Sequence, residues 1–237
     1  MWDVSKLPQE QAVMCGRYNI IDDPFTQALM ADLGLTASLS TRYNIAPTEQ
    51  VPVVYELNGK RQYREMRWWL VPAWSDGPNT RYAMFNARAE SVATSRTFRG
   101  PFARQRAILP ASSFIEWQKQ GGDKIPYDIK VQAGAIAFAG IWDVWQKEGA
   151  EIFSCSIITT EAVPQFSHIH QRMPLILHKT DYDNWLNPSQ NVETLLPTVI
   201  PLKQATLELT PVSTRINNAR NKEAVEAVGV AEIVTLG

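Results

Sequence analysis

Cysteine is scarce in this chain: Cys15 and Cys155 are the only two among 237 residues. Two thiols so far apart build neither a disulfide framework nor a zinc site. Histidine is as scarce, with His168, His170 and His178. No cysteine or acidic residue stands at metal-ligand spacing from them, so no metal and no cofactor is expected. Long apolar runs are missing too. Nothing approaches the roughly 18 residues that a membrane-spanning helix needs, so no membrane role is expected. A net charge of −1 gives no general pull toward nucleic acid. Repeats, low-complexity tracts and linkers are absent, which favours one domain. The first 13 residues, MWDVSKLPQEQAV, lack the apolar centre of a signal peptide. The expected setting is therefore a reducing cytoplasm, and residues 1–13 read as a leader or a misassigned extension ahead of a domain spanning 14–237.

What is present is core material and a local excess of arginine. Apolar residues make up 45 % of the chain, with eight tryptophans. Residues 61–106 hold nine arginines (61, 64, 67, 81, 88, 96, 99, 104 and 106) against Glu65, Asp76 and Glu90. Such a block is a candidate phosphate-binding face, or else a solvated surface. Trp68, Trp69 and Trp74 fall inside it. Aromatics among arginines suit single-stranded nucleic acid, because bases stack while guanidiniums follow the backbone. Core packing is the alternative, and at least one of the three is expected to take it.

The pattern along the chain predicts many short strands and few helices. Pro24 near the start and Gly34 at the end bound a short helix over 24–33. Asn58-Gly59 is a two-residue hairpin turn between a strand at 51–55 and its return at 62–70. Further strands are expected at 106–110, 127–131, 136–142, 153–160 and 175–177, with a turn at Gly121-Gly122. A short helix is expected at 161–166, a loop at 168–174, and a capped helical turn at 181–186. The fold class is α+β, mainly β, closed into a barrel or a sandwich.

Four features could carry chemistry. Cys15 lies between Met14 and Gly16. If it becomes the first residue, its free α-amine and thiol form a 1,2-aminothiol. The amine condenses with an aldehyde to an imine, and the thiolate closes a thiazolidine ring. The α-amine titrates near 8 against about 10.4 for lysine, so roughly a tenth is neutral at pH 7. An internal cysteine is by default a small buried hydrophobe, the reading given to Cys155. Glu116, among Phe114, Ile115 and Trp117, is a solvent-facing strand residue or, if it faces in, a general acid–base. His170 is suited to proton transfer or is a surface loop residue, and His168 would face the other way if the segment is extended. Asn86 and Arg88 share a face if extended, and Asn44 and Asn217 are similar loop amides.

With these pieces in order, the sequence resembles the SRAP family, the SOS-response-associated peptidases or abasic-site processing proteins. The motifs are MCGR at 14–17, RYNIAP at 42–47, a W-x-x-x-P-x-W pattern at 68–74, NARAES at 86–91 and TSR at 94–96. They continue with RAILP at 106–110, EW at 116–117, AGIW at 139–142, HIHQRMP at 168–174 and VS…NN at 212–218. The resemblance implies a mainly-β single domain with a β-barrel-like core and a few short helices. It implies recognition of abasic sites in single-stranded DNA and a covalent thiazolidine through Cys15 at the mature N-terminus. Glu116 would be the acid–base, His170 would assist proton transfer at the sugar, and Asn86 would orient the ring-opened residue. Arg17, Arg88, Arg96 and Arg172 match phosphate-contacting positions, Trp74 matches an aromatic at the lesion, and Pro47 joins this DNA-binding set. The chain departs from the family where Trp69 and Ser113 replace usual glycines.

Three functional readings follow. The first is an abasic-site trap of the DNA damage response, with possible lyase activity. The second is a cysteine-type peptidase or autopeptidase using Cys15, His170 and Glu116. The third is a non-covalent single-stranded DNA binder. The expected partner is single-stranded DNA carrying abasic sites, in a nucleoid-associated cytoplasmic monomer.

Overall fold

The computed structural model describes residues 16–79, 81–195 and 205–236. In chain order the elements are β1 (Arg17–Ile20), α1 (Pro24–Asp32), β2 (Arg42–Ile45), β3 (Gln50–Leu57), β4 (Lys60–Trp68), β5 (Asn86–Arg88), α2 (Ala89–Val92) and α3 (Arg99–Arg104). Then come β6 (Arg106–Ala111), β7 (Ser113–Gln120), β8 (Asp123–Val131), β9 (Ile136–Lys147), β10 (Ala150–Glu161), β11 (Arg172–Pro174), α4 (Tyr182–Leu186), α5 (Val192–Leu195), β12 (Thr206–Pro211) and β13 (Glu232–Thr235).

Local chemistry accounts for the punctuation. Asp23 caps α1, accepting from the Thr26 N–H while the Thr26 hydroxyl accepts from the Asp23 N–H, and Pro24 opens the first turn. Asn58 and Gly59 both have positive φ, at 54° and 70°, the conformation a two-residue hairpin turn demands. The sequence pattern underestimates β8, β9 and β10. Their ladders run on through polar pairs such as Gln146–Glu151 and Lys119–Lys124, because main-chain pairing needs no apolar side chain.

Two expectations are corrected. Residues 161–166 are not a helix; β10 runs to Glu161, and turns follow. Bonds such as Phe166 N–H to the Val163 carbonyl (2.9 Å) close three-residue steps, and Pro164 has no N–H with which to continue a ladder. No strand covers 175–177, where Ile176 makes only an isolated bridge to Phe138; the strand is β11, within the segment expected as a loop, where Arg172 pairs with Glu161 and Pro174 with Thr159.

The strands form two sheets. One runs β13-β12-β8-β7-β1-β2. In the other, β10-β4-β3-β6-β9 closes on itself because β9 pairs back onto β10, which makes a five-stranded barrel-like ring without free edges. β10 serves as a two-sided template. Its first half lies between β4 and β9, with Cys155 paired to Trp68 and to Trp142. Its second half lies between β5 and β11, with Thr159 paired to Arg88 and to Pro174. Closure is tight at Gly140, where a Cβ would collide with the Leu109 side chain and lie 3.1 Å from the Ser156 carbonyl oxygen.

The sheets meet through aromatic rings. Tyr18 of β1 packs edge-on against Trp68 (5.1 Å) and Phe138 (5.8 Å), and Phe114 of β7 meets Phe138 at 6.1 Å. Such pairs add about 0.5–1.5 kcal/mol each beyond burial. Trp68 and Trp69 are both core; Trp69 lies against Phe85 at 5.2 Å, so the replaced glycine marks extra core volume. Cys155 is fully buried, and burial pushes its thiol up, which keeps it inert. Among the described residues, no helix is long and apolar enough to cross a membrane.

Candidate functional site

The site is best built outward from β1. Cys15 lies outside the described residues. Its covalent neighbour Gly16 is half-buried, and a Cβ there would stand 3.9 Å from the Phe85 ring. β1 pairs with β7 through Arg17–Ile115 and Tyr18–Phe114. Continuing that register by one residue brings Gly16 alongside Glu116. Alternation puts Glu116 on the face of Phe114, turned toward the barrel, and it is 1 % exposed. The inward alternative for Glu116 is the one realised. β8 pairs along the other edge of this strand, with Glu116 opposite Tyr127.

The loop after β10 lies over the same strand. Phe166 meets Phe114 at 6.1 Å, and the Gln118 side chain donates to the His168 carbonyl at 3.2 Å. His168 is exposed, Ile169 buried and His170 half-buried. The Arg172 N–H donates to His170 Nδ1 at 3.1 Å, and the Arg172 carbonyl lies 3.3 Å from the same nitrogen. Burial lowers the proton affinity of His170, and Lys119 and Arg172 lower it further against the opposing carbonyl. A neutral ring that accepts at Nδ1 carries its proton on Nε2. Asn86 opens β5, opposite Ile157, directly after the Phe85 that packs at Gly16. Glu116 and Asn86 thus come from two segments beside the start of β1, and the loop that carries His170 lies over β7, the strand of Glu116.

The basic and aromatic candidates divide. Arg88 and Arg96 are exposed, and the Arg96 guanidinium lies 4.6 Å over the ring of Trp74, which is 56 % exposed. Arg17 points to the opposite face of β1, where Nη1 donates to Asn44 Oδ1 (3.0 Å) and to the Ile216 carbonyl (2.9 Å). Arg172 grips Glu90 with both terminal nitrogens at 3.0 Å. Pro47 is buried in the turn between β2 and β3. The arginine block is not one continuous face. Arg106 is 2 % exposed and donates to the carbonyls of Trp185, Phe102, Ala103 and Asn187.

Several roles were not legible beforehand. Asn44, read only as a loop amide, is fully buried with φ +51°. Its side-chain nitrogen faces the carbonyls of Ile216, Asn218 and Asn221 at 2.9–3.1 Å, and its N–H donates to Asn19 Oδ1 at 2.8 Å. Asn217 accepts from the Trp117 indole at 2.8 Å. Both asparagines therefore fasten the C-terminal segment to the sheet. Ser113 fills its glycine position by accepting from Asn19 at 2.8 Å, within a buried group that includes Asp128. Tyr82, 58 % exposed under Arg81, adds a second arginine–aromatic pair; the Arg-Tyr dipeptide inside the basic block was its signal. Among the described residues, no group of His, Cys, Asp and Glu could hold a metal ion.

Known proteins share this architecture and sequence. A crystallised protein from Bacteroides thetaiotaomicron superposes with a TM-score of 0.69 at 23 % identity, covering 83 % of this chain and 92 % of its own, which shows the fold. The abasic site processing protein YoaM of Bacillus subtilis is 33 % identical over 218 residues, 89 % of this chain and 96 % of YoaM. YedK of Escherichia coli, also named an abasic site processing protein, is 30 % identical over 188 residues, 77 % of this chain and 82 % of YedK. The model of the SOS response associated peptidase (SRAP) family matches residues 14–219, and the chain belongs to that family.

Proposed function

We propose that this protein processes abasic sites in single-stranded DNA and holds them covalently through Cys15. One observation carries the reading: a buried carboxyl, Glu116, lies in strand register beside Gly16, one peptide bond from Cys15. The names of the relatives supply the substrate class, and an abasic sugar in its open form presents an aldehyde at C1′.

The chemistry balances without electron transfer. The α-amine of Cys15 adds to C1′, and the resulting carbinolamine loses water to give an imine. The thiolate then adds to the same carbon while the nitrogen takes a proton, closing the thiazolidine with a net loss of one water. Glu116 would take and return the protons of these steps. His170 would assist proton transfer as the sugar opens, and Asn86 would orient the open sugar. Arg88 and Arg96 would hold flanking phosphates and Trp74 would stack on a base. Arg17 and Arg172 are already engaged inside the protein, so a phosphate reaching them would share or displace those bonds.

The mechanism needs a free amine, because an amide nitrogen at Cys15 forms no imine. Removal of the residues ahead of Cys15 is therefore part of the reading. The same cysteine, carboxyl and imidazole are the groups a self-cleaving peptidase uses, which keeps the autopeptidase as a preparatory step. The test is intact mass before and after incubation with a single-stranded oligonucleotide carrying one abasic site. A chain beginning at Cys15 should gain the oligonucleotide mass less one water, and Cys15→Ala should form no heat-stable adduct. A chain beginning at Cys15 that gains nothing sinks the proposal.

A further inference from the structure

β10 holds the two strands that flank the chemistry, one along each edge: β5 with Asn86, and β11 with Arg172 two residues beyond His170. Both are only three residues long, and α2, which continues β5, has four residues and no side-chain cap. Such short pieces have little stability of their own.

One polar contact ties them across β10. Glu90, in the first turn of α2, receives both terminal nitrogens of Arg172 at 3.0 Å, in the paired fork that an arginine and a carboxylate form. The Arg172 Nη2 also donates to the carbonyl of Thr159 at 2.8 Å. Thr159 is the β10 residue that pairs with Arg88 on one side and Pro174 on the other. The Arg172 main-chain N–H is the donor that holds His170 Nδ1. The chain of contacts thus runs from the α2 carboxylate through Arg172 to the imidazole.

We infer that Glu90 is a positioning residue: its paired bond to Arg172 clamps the Asn86 strand and the His170 loop together across β10. This rests on the proposed abasic-site chemistry for its kinetic consequence, though not for its geometry. Arg172 is the more enclosed partner and Glu90 the more exposed, with side-chain exposures of 16 % and 46 %. Pairs of that kind add little to stability, so Glu90→Gln should fold. Placement is another matter, since a shift of about 1 Å in a catalytic group can cost about a hundredfold in rate.

The experiment measures single-turnover adduct formation by Glu90→Gln with an abasic single-stranded oligonucleotide. Binding to a tetrahydrofuran oligonucleotide, which has no aldehyde, is measured beside it. The rate should fall about ten- to a hundredfold while affinity changes less than about threefold. In a His170→Ala background the same substitution should cost clearly less, because the part of its effect that runs through His170 is already lost. Arg172→Lys, which keeps the charge and loses the fork, should repeat the loss of rate and the change in the imidazole shifts if Glu90→Gln proves unstable. In the DNA-free protein, imidazole 15N shifts should show His170 held as the Nε2–H tautomer in wild type and a tautomer mixture in Glu90→Gln. Unchanged shifts, an equal loss in the His170→Ala background, or tighter tetrahydrofuran binding at undiminished rate would each overturn the inference. Wild-type protein beginning at Cys15 that forms no adduct would overturn the abasic-site reading instead, and the 15N comparison would still decide the clamp.

Discussion

Arg106 and Arg96 come from the same arginine-rich stretch, and the molecule uses them in opposite ways. Arg106 opens β6 at the barrel, where α3 and α4 converge, and its guanidinium is spent on main-chain carbonyls. Arg96 lies on the surface over Trp74. One region is frame and the other is rim. A guanidinium that meets carbonyls becomes part of the fold, and one that meets only an aromatic face and water stays available to an anion. Charge density along the chain does not distinguish the two.

The sharpest way to break this comparison is Arg106→Met. The carbonyls it serves would lose their donor inside the protein, and each unsatisfied group costs about 1–3 kcal/mol. The expected loss is about 3–5 kcal/mol in urea unfolding, with oligonucleotide affinity unchanged per folded molecule. A loss below about 1 kcal/mol would move Arg106 out of the frame.

The rim should respond in the reverse sense. Trp74→Ala should weaken binding of a single-stranded oligonucleotide by about 1–3 kcal/mol. Arg96→Ala should weaken it less and flatten the salt dependence by about 0.7 in log–log slope. Both should leave stability within about 0.5 kcal/mol. Because the two side chains touch, the double variant should lose less than the sum. Full additivity would show that they act separately.

The smallest effect sits on the border between rim and frame, at His170. Its proton affinity in the folded protein is lowered by burial and by its positive neighbours. The unfolded chain, titrating near 6.5, therefore binds the proton first as pH falls. Stability should decline as pH drops through the ordinary histidine range and level off below the folded value. His170→Asn should remove that slope. Adduct formation by wild type needs the neutral α-amine, so its rate should already fall as pH drops below about 8; corrected for that amine fraction, it should show no further break in the ordinary histidine range. A further break near 6.5 that His170→Asn removes would mean that the ring protonates early.

Much of the fold was legible because its signals are local. Asp23, Pro24 and Thr26 specify a helix start within four residues, and Asn58-Gly59 specifies a turn within two. The segment 161–166 departs from the expected helix: its apolar spacing suits one, while Pro164 and the pairing of β10 with β11 decide otherwise. For the site, residue type, read together with the family motifs, offered Glu116, His170 and Asn86 as candidates. It could not rank the arginines, and it passed over Glu90, whose partner lies 82 positions away.

The sequence by itself determined the class of fold, the Asn58-Gly59 turn between β3 and β4, the inert character expected of Cys155 and the family motifs. These depend on residue type and on neighbours a few positions apart. The tertiary structure alone decided that β9 returns to β10 to close the barrel, that Glu116 faces inward, that Arg106 is frame while Arg96 is rim, and that Asn44 fastens the C-terminal segment. Each of those outcomes depends on which distant main-chain groups and side chains arrive to satisfy a buried polar atom. That is settled only when the whole chain has found its pairing.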